Sequence, residues 1–165
     1  MKTIWFCTNA KNEDIVISIA EVIGEELIRR DQYVELVVQS EVNEILGRGL
    51  KDTPEDKATF IDRLGFLGNL LHRNEIFALV VTKDSNLNDR KLVKETYSNY
   101  IQVNMGEKDL LTDILLDKMD DPKFNAKKII EYLIGQKIIP EKGQEVYSKE
   151  AEEEIRRRLE ELGYV

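Results

Sequence analysis

A chain of 165 residues, 42% of them hydrophobic, is long enough to bury the core of one compact domain. Its net charge of −8 and pI near 4.9 exclude the basic stripe that a nucleic-acid backbone requires, and no apolar run approaches the ~20 residues of a membrane span. A single cysteine, Cys7, a single histidine, His72, and no signal-peptide core or Cys/His ligand spacing lead us to expect a cytoplasmic protein with no metal or cofactor site.

In chain order, apolar runs alternate with stretches of helical periodicity, the pattern of a mostly parallel sheet in a three-layer α/β/α domain. Strands are predicted at Thr3–Cys7, Tyr33–Val38, Phe77–Thr82 and Tyr100–Met105, each rich in Val, Ile and aromatics as doubly covered strands are. The first helix runs from about Asp14 to Arg30, with Ile15, Ile19, Val22, Ile23 and Leu27 on its inner stripe. A short helix at Glu41–Leu46 is broken by Gly47-Arg48-Gly49. Thr53-Pro54-Glu55-Asp56 then opens a second long helix, with Thr53 as cap and proline at the first helical position, running to Arg73. Further helices are predicted at Leu87–Tyr97, Lys108–Met119, Asn125–Ile134 and Tyr147–Leu162. Lys137-Ile138-Ile139 is the one candidate for a fifth strand. We divide the chain into a domain over 1–139 and a linker with an amphipathic helix over 140–165, docked on the domain or on a partner.

The turn after the first strand carries the strongest functional signal. A mononucleotide-binding α/β protein places G-x-x-x-x-G-K-[ST] there, with backbone N–H groups and a lysine facing the phosphates. Here the eight positions, Thr8 to Ile15, contain no glycine, and the lysine and hydroxyl positions hold Asp14 and Ile15. Glu13 and Asp14 suit the positive end of a helix but repel a triphosphate.

With its elements in this order, the chain resembles the adenylylsulfate kinases over about Lys2 to Met105. The resemblance is carried by Ile4-Trp5-Phe6, Ala20-Glu21 and Tyr33-Val34-Glu35-Leu36. It continues in Gly49-Leu50 with Glu55-Asp56, then Ile61-x-Arg63-Leu64-Gly65-Phe66-Leu67, and Leu70-Leu71-x-Arg73-Asn74. It implies a P-loop kinase fold, ATP-dependent phosphorylation of adenylyl sulfate, and dimerisation. The family's working parts are replaced, however. Its phosphate loop falls on Thr8, Asn9, Lys11, Glu13, Asp14 and Ile15, and its acidic D-G-D on Val38-Gln39-Ser40. Its substrate-binding positions fall on Lys57, Phe60 and Asp62, with only Arg63 kept. S-P-Y-R becomes Asp84-Ser85-Asn86-Leu87, although Arg90 is retained, and the basic lid becomes an acidic helical region, Gly106–Lys123.

Such losses imply a catalytically inactive relative with a regulatory, binding or scaffolding role, linked to sulfate activation, since this phosphoryl transfer consists mainly of positioning and charge neutralisation. The expected partner is a second copy or a related enzyme. A residual weak site for a nucleotide or anion would draw on Gln39, Ser40, Arg48, Lys57, Arg63 and Arg90. The alternative is an ATP-dependent phosphotransferase, or other small-ligand enzyme, with an unconventional nucleotide site in which Lys11 replaces the missing lysine. A different small-ligand site at the carboxyl ends of the strands, lined by the polar and mostly neutral Cys7, Thr8, Asn9, Gln39, Ser40, Thr82 and Asp84, is a third possibility.

Overall fold

The computed structural model describes residues 2–97, 100–141, 149–161 and 163. Five strands, β1 (Thr3–Thr8), β2 (Tyr33–Val38), β3 (Ile76–Lys83), β4 (Ile101–Met105) and β5 (Ile114–Leu116), form one parallel sheet in the order β2-β3-β1-β4-β5. The helices are α1 (Glu13–Ile28), α2 (Gln39–Leu46), α3 (Pro54–Arg73), α4 (Leu87–Thr96), α5 (Pro122–Gly135) and α6 (Lys149–Glu161).

Strand alternation divides the core in two. Ile4, Phe6, Phe77, Leu79, Val81, Ile101 and Val103 point to one face, where Val16, Ile19, Ile23 and Leu27 of α1 and Ile129 and Leu133 of α5 cover them. Trp5, Cys7, Ala78 and Val80 point to the other, under Phe60, Ile61 and Leu64 of α3 and Val93 of α4. Phe60 is thus buried in this core, whereas Phe66 stays exposed with its ring edge against Tyr97. Close approach of α3 to α4 requires Gly65, because a Cβ there would run into the Val93 side chain.

Local sequence chemistry accounts for the helix boundaries. The Thr53 hydroxyl accepts the Asp56 N–H at 3.2 Å, with Pro54 at the first helical position. Asn86 and Asp121 cap α4 and α5 in the same manner, at 2.8 Å each.

The structure departs from expectation after β4. No helix spans Lys108–Met119. The Asp109 carboxylate accepts the Leu111 N–H at 2.8 Å and the Thr112 hydroxyl at 3.2 Å, folding a tight turn instead. The following Ile114-Leu115-Leu116 then pairs with β4 as the fifth strand, with Val103 opposite Ile114. The expected acidic helical lid is therefore a turn plus an edge strand. Lys137-Ile138-Ile139 is not a strand. The Ile138 N–H returns to the Leu133 carbonyl at 2.9 Å and the Lys137 N–H to that of Ile134 at 2.9 Å, with Lys137 at φ 56°. That is a Schellman C-cap, and it buries Ile139 against the core. Tyr147, Ser148 and Leu162, the expected ends of the last helix, lie outside the described residues.

Candidate functional site

A parallel sheet aims the carboxyl ends of its strands at one edge, and here β1, β3 and β4 end side by side. The turn leaving β1 folds as a 3₁₀ turn, Ala10–Asn12, rather than an open loop. Asn9 dictates this. Its side-chain oxygen accepts the N–H groups of both Lys11 and Asn12 at 3.1 Å, so these donors are engaged within the turn. Lys11 and Asp14 are exposed, and Ile15 packs against the core.

Glu13, the first residue of α1, turns towards β3 and α2. Its carboxylate pairs with the Lys83 ammonium at 2.9 Å and accepts the Ser40 hydroxyl at 2.9 Å, while Gln39 accepts the Lys83 backbone N–H at 3.0 Å. Burial alone would raise the pKa of Glu13, but Lys83 and Ser40 outweigh it and hold the carboxyl below its ordinary value. Glu13, Gln39 and Ser40 are therefore brought together, joined by Lys83.

Two clefts flank this centre. A cleft of about 490 Å³ lies between α2, α3 and the end of β3, reached by Lys57 and Gln39. The basic residues expected to cooperate there are otherwise engaged or exposed. Arg63 donates to the carbonyls of Leu46 and Arg48, tying α3 to the end of α2; Lys57 pairs with Asp52 at 2.7 Å; and the Arg48 residue is exposed. The larger cleft, about 730 Å³, lies between the β1 turn and the segment joining β4 to β5. Arg90 lines this cleft, so the structure does not gather it with Arg48, Lys57 and Arg63.

The floor of the larger cleft is a polar network that sequence reasoning missed. The Arg90 guanidinium, its side chain only 6% exposed, donates through Nη2 to Asp109 at 2.9 Å. Asp109 also accepts Gln102 Nε2 at 2.9 Å and Asn104 Nδ2 at 3.2 Å. Burial pushes its carboxyl up, but the Leu111 N–H, the Asn104 amide and Arg90 prevail and hold it at about 2. Beside it, burial pushes the Cys7 thiol up to about 11 against the opposing charge of Arg90. Trp5 Nε1 donates to the Thr82 hydroxyl at 3.0 Å, Trp5 stacks on Tyr100 with ring centroids 5.2 Å apart, and the Tyr100 hydroxyl donates to the Arg90 carbonyl at 2.9 Å. One signal was available: Gln102 and Asn104 recur at period two in the otherwise apolar Ile101–Met105, as paired functional positions on one strand face do. Among the described residues, no group of three or more His, Cys, Asp or Glu side chains is arranged to hold a metal ion.

No protein-family model matches the chain. An adenylyl-sulfate kinase of Deinococcus deserti is 36% identical over 63 residues, 38% of this chain, and the match spans about a third (35%) of that relative's length. Among solved structures, the Mycobacterium tuberculosis APS kinase CysC in complex with AMPPNP and APS superposes with a TM-score of 0.71 at 15% identity, over 80% of this chain and 96% of that one. A hexameric APS kinase from Thiobacillus denitrificans gives 0.66 at 15% identity, over 81% and 29%. Shikimate kinase from Aquifex aeolicus gives 0.55 at 12%, over 82% and 98%. The chain has the fold of the P-loop kinases, of the kind seen in APS kinase.

Proposed function

We propose that this domain, similar to adenylylsulfate kinases, does not transfer phosphoryl groups and acts instead by binding, in a regulatory or scaffolding role connected with sulfate activation. The observation that carries this reading is the turn after β1. Phosphate binding there needs free backbone N–H groups and an uncompensated cation. The Lys11 and Asn12 N–H groups are taken by Asn9, and Lys83 is neutralised by Glu13. A triphosphate would have to displace both the Asn9 carboxamide and the Glu13 carboxylate. The residues present therefore do not fit the phosphates of ATP–Mg²⁺, and no transfer step is assigned to them.

The partner in this reading is a second copy or an active kinase of the same fold, in the cytoplasm. Oligomerisation of the Thiobacillus denitrificans neighbour supports it by analogy. One observation favours the alternative, a phosphotransferase with an unconventional nucleotide site: Lys108, Lys118 and Lys128 line the larger cleft across from the turn.

Thermal-shift titration with ATP–Mg²⁺, ADP, adenylyl sulfate and its 3′-phosphorylated product tests this. A ligand at 100 times its dissociation constant stabilises the fold by about 2.7 kcal/mol, or about 5–11 °C for a domain of this size. No shift is expected with ATP–Mg²⁺. A shift accompanied by turnover of adenylyl sulfate would establish the alternative.

A further inference from the structure

Arg90 presents a donor surplus at the floor of the larger cleft. A guanidinium carries five N–H bonds, one on Nε and two on each Nη. Only Nη2 is used, in the pair with Asp109, while Nε and Nη1 are buried with no hydrogen-bond partner among the described residues. Buried polar groups are paired in all but a few cases, so these donors need an acceptor, an ordered water or a bound group, that the described residues do not supply. The guanidinium is also pre-set. The Tyr100 hydroxyl holds its backbone carbonyl, and Asp109, fixed by Gln102, Asn104, Leu111 and Thr112, holds one edge. Asp109 has its own acceptors filled by these donors and leaves the other N–H bonds of Arg90 unspent. The neighbouring Cys7, with its thiol held neutral by burial, supplies no anion.

We propose that the floor of the larger cleft binds a small oxyanion group, a carboxylate, phosphate or sulfate, through the free N–H bonds of Arg90. Thr8 and Ser85 bring hydroxyls to the same cleft, and Lys108 and Lys118 bring positive charge. Asp84, Glu107 and Asp117 line it as well, so the cleft has no net positive charge to hold a polyphosphate. The fitting occupant is a polar molecule with a single oxyanion group, and the remaining volume takes its neutral part. The inference deepens the binding reading given above and rests on it.

The test is a titration of the Nε–H resonances of the arginines by ¹⁵N-resolved NMR. Sodium phosphate, sulfate and acetate are added separately, with ionic strength held constant by sodium chloride. The Arg90 signal is identified by its loss in Arg90→Lys, a variant that keeps a positive charge for Asp109 and removes the Nε and Nη1 donors. A saturable shift of the Arg90 signal with any of the three anions, and at least tenfold weaker binding of that anion by Arg90→Lys in calorimetry, is the expected result. Phosphate and sulfate without acetate would specify a tetrahedral group, and acetate alone a carboxylate. An Arg90 signal unmoved by all three overturns the inference, and should Arg90→Lys fail to fold, the same signal is assigned in the wild-type protein by through-bond correlation of its Nε–H to the Arg90 backbone. Turnover with ATP would defeat the non-catalytic reading without moving the Arg90 result. A silent Arg90 signal in a protein that also ignores ATP would defeat this inference alone.

Discussion

Replacing Asp109 with asparagine removes the anion around which the cleft floor is organised. In the folded protein its carboxyl is held at about 2, against an ordinary 3.8. At 1.36 kcal/mol per pH unit this gap is worth about 2 kcal/mol of stability, and the side chain is only 22% exposed, so solvent screens little of it. The substitution also leaves the Arg90 charge buried without its counter-ion, and breaking a buried pair from one side costs about 3–5 kcal/mol. We therefore expect Asp109→Asn to lose about 3 kcal/mol at pH 7, or about 6–12 °C in melting temperature. The folded pKa lies below the unfolded one, so the stabilisation is complete above about pH 4 and disappears as the pH falls through about 2. Urea unfolding of both proteins from pH 7 down to pH 2, followed by circular dichroism, measures this. A gap below about 1 kcal/mol at pH 7, or one that does not narrow on acidification, would refute the account of the Arg90–Asp109 pair.

Gly65→Ala, whose new methyl group collides with Val93, is expected to cost about 1–3 kcal/mol. Gly135→Ala, with open space around the new methyl, is expected to be neutral or stabilising by up to about 1 kcal/mol; equal urea midpoints for the two variants would contradict the packing described for α3 on α4. Cys7, with its thiol pushed up to about 11, is about one part in a thousand thiolate at pH 8. Its reaction with an aromatic disulfide reagent is expected to be at least about a hundredfold slower in the folded than in the urea-unfolded protein, and comparable rates would show the thiol to be open to solvent.

The sheet was legible wherever burial is strong and local. Thr3–Thr8 and Ile76–Lys83, buried almost end to end, contain the strands expected there, the half-exposed edge strand Tyr33–Val38 has the bounds its apolar run implies, and Thr53-Pro54 starts α3 as its cap chemistry requires. The strand β5 was not legible, because Ile114-Leu115-Leu116 is too short to show a period and sits among aspartates that also suit a helical surface. What decides the matter is non-local: the Asp113 carboxylate accepts the Gln102 N–H at 2.8 Å, and the Asp113 N–H returns to the Gln102 carbonyl at 2.9 Å, aligning the segment with β4. For the same reason the apolar Ile138-Ile139 resembled a strand but serves to seal a helix end. At the site, the sequence identified the acidic turn, and Glu13 is indeed at the mouth of α1. Its partner Lys83 stands seventy positions away and follows only from β3 lying beside β1. Arg90 was grouped with the wrong basic residues because a linear sequence does not reveal on which side of β1 a loop comes to rest.

The position of β1 at the centre of the sheet also governs how the molecule is made. Thr3 faces Ala78 on one side, and Ile4 faces Ile101 on the other. β1 therefore leaves the ribosome while both its partners are still unsynthesised. At about 5–20 residues per second, Thr3 waits roughly 4–15 s for Ala78 to be polymerised. Meanwhile an apolar Ile-Trp-Phe-Cys segment is available to any other strand in the vicinity. Closing so long a loop precedes any reward from pairing, so assembly of the sheet is slow for a domain of this size. During translation β1 needs temporary cover, from α1 folding back over it or from a chaperone, until β3 arrives.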